Sequence, residues 1–505
     1  MRRPRVPVKK GRFRFLRDKS RVITRLFVPG DPPHVRRIAD RVAALPDAEA
    51  ARLLEEMLRS FAHRHREMEG ALLDHYHDVA KRLGHPAPLT REKQLLLGGY
   101  FTMEYSIESA ALYNPSIVLA PDQGNLPPDH ARVILSFRAT GEGHLSSLEF
   151  RAATITDRNE VVLDSVCPHL ETPELAQNMY YENNLFGLQL LEMSAPEDSA
   201  SPGLTRFLQS NEVVSDLLGR LPRSFTLRQL RRAMAELRRS GAYEPDAIEA
   251  TFERVRWLAC SNYEVRFDAA TGLSERVLFP VSENERRGIE DARFVRFVED
   301  DAVTYYATYT AFDGDRVQVQ LLETKDFFNF RVSTLNGKHA NSKGMALFPR
   351  KVGGKYAMIG RVDGENLYLI YSNDIRFWHK AQWLRGPQMP WEFVKIGACG
   401  PPVETKAGWL LLTHGVGPMR RYCIGATLLD RDDPLKVLGQ LKDPLLEPDE
   451  GEREGYVPNV VYTCGALVHN NELIIPYAMS DSAASVATVP LPALLDALRS
   501  KGRSR

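Results

Sequence analysis

Leu321-Leu322-Glu323-Thr324-Lys325-Asp326-Phe327-Phe328-Asn329-Phe330 is answered roughly 48 residues later by Leu369-Ile370-Tyr371-Ser372-Asn373-Asp374-Ile375-Arg376-Phe377-Trp378. Each stretch is an apolar run, then a hydroxyl residue, a lysine or amide, an aspartate, and an aromatic four places on. The run reads as a strand and the polar residues after it as a turn. The offset falls in the range of about 40–50 residues that four-stranded propeller blades occupy. Outward from this pair the same grammar continues. Strand-like runs appear at Val303 to Thr310, Val317 to Glu323, Tyr356 to Val362, Leu367 to Ser372, Trp409 to His414, Tyr422 to Leu429, Ala466 to Val468 and Leu473 to Ala478. The turns between them are rich in Asp, Gly and Asn, as in Phe312-Asp313-Gly314-Asp315 and Asp363-Gly364-Glu365-Asn366. An earlier block, Arg132 to Phe137 with Ser147 to Ile155, supplies a further blade. The fold expected is mainly β, a five-bladed β-propeller over 101–490. A β-sandwich pair is the alternative that two similar segments leave open.

Two stretches break this pattern with the three-to-four spacing of helices. From about Pro46 to Leu83, apolar residues recur at Leu53, Leu54, Met57, Leu58, Phe61, Met68, Leu72, Leu73, Tyr76, Val79 and Leu83. They place an amino-terminal helical subdomain, behind a basic tail, within 1–100. The second stretch opens after Ser201-Pro202-Gly203, breaks at Pro222, resumes at Leu227, Leu230, Met234 and Leu237, and stops at Gly241. It is read as a helical insertion at about 204–256. Leu491 to Leu498 is a short last helix within 491–505, and Ser500 to Arg505 is expected to be disordered.

Composition narrows the function classes. Of 505 residues, 43% are hydrophobic and 26% charged, an ordinary globular mix. With 66 basic against 65 acidic residues the formal charge is +1, so no global field draws the chain to nucleic acid or membrane. Cys167, Cys260, Cys399, Cys423 and Cys464 are scattered and odd in number, a poor disulfide framework. They suit small buried apolar groups in a reducing cytoplasm. The basic start, Met1 to Arg21, has no apolar run behind it and is read as a solvated tail, not a secretory signal. No stretch approaches the ~18 apolar residues of a membrane span.

The chemistry centres on Gly288-Ile289-Glu290-Asp291-Ala292-Arg293. This segment is read as poised at the start of the apolar strand Val303 to Tyr309. Lone polar residues stand at the ends of other apolar strands: Lys343 before Met345 to Pro349, Arg361 after Ala357 to Gly360, His414 after Leu410 to Thr413, and Asp481 after Ile474 to Met479. Each alone is a surface group. Four in one register point to a common axis. A pair of carboxyls in one recess suits a carbohydrate-active site. A buried carboxyl beside another is expected to hold its proton near neutral pH.

On these residues the sequence resembles glycoside hydrolase family 130, the β-mannoside phosphorylases and mannosidases. The matching motifs are Tyr113-Asn114-Pro115-Ser116, the Gly288 to Arg293 segment, Tyr309-Thr310-Ala311-Phe312-Asp313-Gly314, Lys343 to Pro349, Gly353 to Arg361, Lys395 to Pro402, Gly408 to Val416, and Tyr456 to Ala466. They are collinear over roughly 286–490 and patchy before that. The resemblance implies a five-bladed propeller with the site in its central cavity, and inverting phosphorolysis of β-linked mannosides to α-mannose 1-phosphate. Asp291, with Glu290 beside it, would act as general acid through a hydroxyl of the bound mannosyl unit. Inorganic phosphate is then a co-substrate, and no cofactor or metal is called for. Lys343, Arg361 and His414 fall where the family's phosphorylases carry basic residues, and a phosphate dianion requires such donors. Asn114, Arg138, Arg293, Asp313, Asn459 and Asp481 are the candidates for contacts to the sugar.

The chain departs from the family pattern at Ala292, where proline is usual, and in both helical additions. The insertion could cover the cavity and alter acceptor choice, and the amino-terminal helices could mediate contacts between copies of the chain. An inverting β-mannosidase and an inactive glycan-binding propeller are the alternatives. Trp378, Trp391 and Trp409 are read as core rather than sugar platforms. His63, His65, His75 and His77 are read as a solvated helical face, since residues two apart on a helix diverge.

Overall fold

The computed structural model describes residues 6–84, 88–176, 179–194, 212–315, 317–340 and 342–499. The chain is mainly β, as expected, and its strands form five successive antiparallel meanders. The first runs through Ala111–Leu119, Ala131–Thr140, Ser146–Ile155 and Val161–Leu163, and the second through Gly288–Glu299, Ala302–Phe312, Val317–Thr324 and Asn329–Thr334. The third comprises Ala346–Leu347, Tyr356–Gly360, Leu367–Ser372 and Lys380–Arg385. The fourth comprises Lys395–Ala398, Gly408–Val416, Tyr422–Leu429 and Val437–Gln440. In the fifth, Val461–Tyr462, Glu472–Met479 and Ala483–Pro490 are joined by Lys9–Lys10 from the start of the chain.

The repeat that opened the sequence reading occupies equivalent places: its two apolar runs are the third strands of the second and third sheets. Asp326 accepts from the backbone N–H of Phe328 and Asn329, and Asp374 from that of Arg376, so each aspartate closes the turn after its strand. Asp430 does the same in the fourth sheet, accepting from Asp432 and Asp433.

Apolar side chains of neighbouring sheets interleave, so the cores lie between sheets. Phe150, Phe294 and Phe330 join the first to the second, Phe297, Leu347 and Trp378 the second to the third, and Phe348, Leu369 and Trp409 the third to the fourth. Leu410, Ile424 and Ile475 join the fourth to the fifth, and Phe137, Leu135 and Ile474 the first to the fifth. Hydrogen bonds follow the same order. Phe294 N–H donates to Ser116 Oγ (3.2 Å), Val298 N–H to Pro349 O (2.9 Å), Ile396 N–H to Glu365 O (3.0 Å), Tyr422 N–H to Asn459 O (3.0 Å) and Cys464 N–H to Pro115 O (2.8 Å). Each sheet is thus tied to the next and the last to the first.

The helical additions differ from expectation in extent and place. The amino-terminal stretch is four helices, Pro32–Ala43, Asp47–Phe61, Met68–Arg82 and Arg91–Tyr100, around a core of their own. The insertion begins earlier than read, with Asn183–Ser194, and continues through Leu227–Ser240 and Pro245–Ser261. Its expected start at Leu204, like Met1 to Arg5 and Ser500 to Arg505, lies outside the described residues. Its described residues lie against the outer strand of the second meander. Gln189 and Asn262 hydrogen-bond Thr334, and Tyr263–Arg266 pairs with Asn329–Thr334, the outermost strand of the second meander.

The basic start is not a solvated tail from Val6 onward. Phe15 is buried against Phe137, and Lys10 pairs with Glu452 (2.6 Å) and Asp449 (2.9 Å). Arg21 is buried between Glu108 (2.8 Å) and Glu149 (2.9 Å), which Arg151 also meets (2.6 and 2.8 Å). Charge patterning did not show this, because the matching acids lie far along the chain. Cys399, Cys423 and Cys464 are buried as expected, whereas Cys260 is exposed. Of the four histidines His63 and His77 are exposed as read, whereas His65 lies against Glu104 (2.9 Å) and His75 meets Thr102 (2.7 Å). Among the described residues no helix is long and apolar enough to cross a membrane. Replacing Arg21 with Met leaves Glu149 and Glu108, the latter pushed up to about 8 by burial and by Glu149, with one guanidinium between them, a loss of up to about 3–5 kcal/mol when a buried pair loses one partner. Urea unfolding of Arg21→Met should show a destabilisation of that order.

Candidate active site

Glu290 and Asp291 lie inside a strand of their own, Gly288–Glu299, not at the start of the strand at Val303 as the sequence was read. Pairing with Ala302–Phe312 slips between Glu290 and Arg293, a β-bulge that puts Asp291 at φ +53°. A matching bulge between Tyr113 and Ser116 of the first sheet puts Asn114 at φ +48°. The two bulges face each other: Asn114 Nδ2 donates to Asp291 Oδ1 at 2.7 Å. A left-handed conformation at a non-glycine residue persists only where surroundings enforce it, and functional sites are where this is found.

Arg138, on the second strand of the first sheet, reaches both acids, at 3.0 Å from Glu290 and 3.5 Å from Asp291. Lys343, just before the third sheet, takes the other oxygen of Glu290 at 2.8 Å. Arg293 turns the opposite way. It donates to the backbone oxygen of Asp291 (2.8 Å) and to Tyr462 Oη (2.6 Å), so it fixes the bulge rather than offering itself to a sugar. Glu290 and Asp291 keep 14% and 23% of their side-chain surface, which leaves the recess open to a ligand.

The expectation that Asp291 holds a proton is overturned. Burial pushes its pKa up, but Arg138, Arg293, the Asn114 hydrogen bond and Lys343 together outweigh burial and hold it below the ordinary carboxylate value. The raised carboxyl is Asp481. Burial and the charge of Asp291, against Arg138 and Arg420, push it up to about 7.

Arg361 and His414 meet on the far side of Tyr462. Arg361 Nη1 lies 3.4 Å from His414 Nε2, and the His414 and Tyr462 rings are 5.0 Å apart. Burial, then Arg361, Arg293 and Lys395, hold His414 well below its usual pKa, so it is a neutral imidazole among cations. His414 is hydrogen-bonded to the backbone of Ala398, while the Nε atoms of Arg361, Arg293 and Arg138 are buried without a partner. Such groups cost stability unless a ligand satisfies them. Gly397 makes room for this pair: a Cβ there would lie 2.3 Å from His414 Cε1 and 3.2 Å from Arg361 Nη1.

The structure thus brings together Asn114, Arg138, Glu290, Asp291, Arg293, Lys343, Arg361, His414 and Asp481. Lys343 sits with the acids; the lysine acting on His414 is Lys395, which the sequence reading passed over along with Tyr462 and Tyr422. Lys395 lies over the Tyr422 ring, which stacks on His414. Lys395 opens a quoted motif, and that was its only available signal. Asn459 is engaged at the rim, accepting from Arg453 (3.2 Å). Asp313 lies apart, capping its own turn through Asp315 N–H (2.8 Å) beside Arg286 and Arg287. Trp378, Trp391 and Trp409 are core, as expected. Among the described residues no cluster of metal-ligating side chains occurs.

Comparison with known proteins bears on the region that carries these residues. A family model described as β-1,4-mannooligosaccharide phosphorylase, of glycoside hydrolase family 130, matches residues 262–500. A 1,2-β-oligomannan phosphorylase of Thermoanaerobacter sp. is 36% identical over 225 residues, 43% of this chain and 74% of that protein. The chain belongs to glycoside hydrolase family 130. A β-1,2-mannobiose phosphorylase of the same organism is 32% identical over 243 residues, covering 47% of this chain and 79% of the relative. The solved β-1,2-mannobiose phosphorylase of Listeria innocua aligns over 79% of this chain and 94% of its own, at 21% identity and a TM-score of 0.45. The sequence matches of this family-130 chain cover the second to fifth sheets, while Asn114 and Arg138 come from the first.

Two measurements test the geometry. Native Asp481 keeps its proton to about 7, whereas an unfolded aspartate releases it near 3.8, so its contribution to stability falls as pH rises through that window. Asp481→Asn should therefore melt higher than the natural protein at pH above this window and lose that advantage below it. Phosphate should raise the melting temperature of the natural protein, and Gly397→Ala should lose this gain.

Proposed function

We propose that this chain is an inverting phosphorylase of β-linked mannosides, working in the central recess of a five-bladed β-propeller. The carrying observation is that an acid pair and a set of cations with unpartnered buried N–H groups lie on either side of Arg293 and Tyr462. Phosphate suits that set, because a planar guanidinium, an ammonium and a neutral imidazole can all donate to its oxygens. The relatives' names agree: they are phosphorylases of β-1,2- and β-1,4-mannosides.

In this reading Arg361, His414 and Lys395 hold phosphate, and Glu290, Arg138, Asn114 and Asp481 orient the mannosyl unit. A phosphate oxygen attacks the anomeric carbon as the glycosidic C–O bond breaks. The departing oxygen takes a proton that Asp291 passes through a mannosyl hydroxyl. Asp291 is ionised in the resting site, so its proton must arrive with substrate. The hydrogen phosphate carries one and gives it up as it becomes the ester; Asp291 takes that proton and hands it on to the departing oxygen, so it ends the turnover ionised as it began. Dianion binding also offsets the cations that depress Asp291, which raises its pKa when a proton is needed. Unpaired thiols at Cys399, Cys423 and Cys464 suit work in a reducing cytoplasm.

Incubation with β-1,2- and β-1,4-mannobiose, with and without phosphate, tests this. Phosphate-dependent release of α-mannose 1-phosphate is expected, with Asp291→Asn lowering kcat by about a hundredfold or more, as loss of a general acid does. Free mannose released at the same rate without phosphate would make the chain a mannosidase instead.

A further inference from the structure

Outside the acid and cation sets, one feature of the rim stands exposed without serving the fold. Tyr456 is 58% exposed, and its ring stacks on that of His144 with centroids 5.2 Å apart and planes at 28°. The two rings come from different sheets. His144 lies on the turn between Ala131–Thr140 and Ser146–Ile155, at φ +59°. Thr140 at one end of that turn meets Tyr113 Oη (3.1 Å), and Ser146 at the other pairs with Gly288, the start of the strand that carries Glu290 and Asp291. Tyr456 lies between Gly455, where a Cβ would strike Ser480 O at 2.2 Å, and Val457, whose N–H donates to Ser480 O at 3.1 Å. Ser480 precedes Asp481, which feels the charges of Asp291, Arg138 and Glu290. The His144 turn therefore abuts the strand that carries the acid pair, and Tyr456 flanks the residue before Asp481.

We infer that the Tyr456–His144 pair is the platform for the sugar unit on the leaving-group side of the cleaved bond, and so helps select the acceptor. This rests on the phosphorylase reading. Inverting displacement puts the nucleophile and the leaving group on opposite faces of the anomeric carbon. Arg361, His414 and Lys395 come from the third and fourth sheets, whereas His144 and Tyr456 come from the first and fifth. The rings are anchored at Gly288, on the strand that carries Asp291, and at Ser480, beside Asp481, so they sit on the acid side of the recess, where the leaving group takes its proton. A pyranose has an apolar C–H face that covers an aromatic ring, and a ring pre-stacked on a second ring loses little freedom on binding. A left-handed histidine in an otherwise solvated turn is explained by that service.

The test runs the full chain in the synthetic direction, with α-mannose 1-phosphate as donor and mannose or β-mannobiose as acceptor. Tyr456→Ala and His144→Ala should each raise the acceptor KM roughly tenfold, the size of one aromatic face, with no change in donor KM. Tyr456→Phe, which keeps the ring, should restore the acceptor KM. An acceptor KM within about twofold of the natural protein in Tyr456→Ala, or an equal rise in donor KM, overturns the platform and leaves phosphorolysis standing. If the natural protein makes no β-mannoside, the phosphorylase reading falls. Saturation-transfer NMR with β-mannobiose then decides the platform alone: transfer lost in Tyr456→Ala supports it, and equal transfer overturns it.

Discussion

Two adjacent acidic side chains in a partly buried recess call for a cation that spans them. Arg138 is that cation, lying within 3.5 Å of each. It is anchored over the Tyr113 ring, on the strand that also supports Asn114. Take Arg138 away and Asp291 loses the first of the charges that keep it below the usual carboxylate range, while Glu290 keeps only the exposed Lys343. The bulge at Asp291 serves the same end. It turns the acid off the strand's regular alternation and towards Asn114, and Arg293 ties the displaced carbonyl to Tyr462 of the fifth sheet.

That dependence explains why the sheets must be tied into a ring. Asn114 and Arg138 belong to the first, the acids to the second, Arg361 to the third, Lys395 and His414 to the fourth, and Tyr462 and Asp481 to the fifth. Each sheet supplies residues from its first two strands, the ones nearest the shared recess. No sheet holds a working set alone. The contact that closes the first onto the fifth, Cys464 N–H to Pro115 O, lies one residue from Asn114. The start of the chain reinforces the same seam: Lys9–Lys10 completes the fifth sheet, and Phe15 fills the core between the fifth and the first.

Much of this was legible because strands and turns leave local marks. Asp326 and Asp374 announced their turns, since a short acid that caps backbone N–H groups must follow its strand at a fixed spacing. The strand Gly288–Glu299 was hidden because Glu290, Asp291 and Arg293 interrupt its alternation, and a bulge has no local signature when its extra residue is an aspartate instead of a glycine. The charge state of Asp291 was misjudged for another reason. Its like-charged neighbour is adjacent in sequence, but Arg138 and Asn114 come from the first sheet, on the far side of the helical insertion. Arg21 shows the same limit, reading as part of a basic tail until Glu108 and Glu149 close on it. The insertion was placed over the cavity by its position before the acid segment. Tyr263–Arg266 instead extends the outermost strand of the second sheet, and an edge strand is where added chain can dock without breaking a ladder.

The balance of charge in the recess argues for what it awaits. Arg138 and Lys343 are matched by Glu290 and Asp291, and Asp481 adds no full negative charge near neutral pH because burial and Asp291 hold its proton. Arg361, Arg293 and Lys395 then surround a histidine that they keep neutral. A neutral sugar satisfies hydroxyl-sized donors and acceptors but leaves this surplus where it is. An anion removes it and gives the unpartnered Nε of Arg361 something to meet. The resting site is electrostatically incomplete on the side facing Arg361, and complete on the side facing Asp291. In the proposed reaction that asymmetry puts the nucleophile on the Arg361 side and the acid on the Asp291 side.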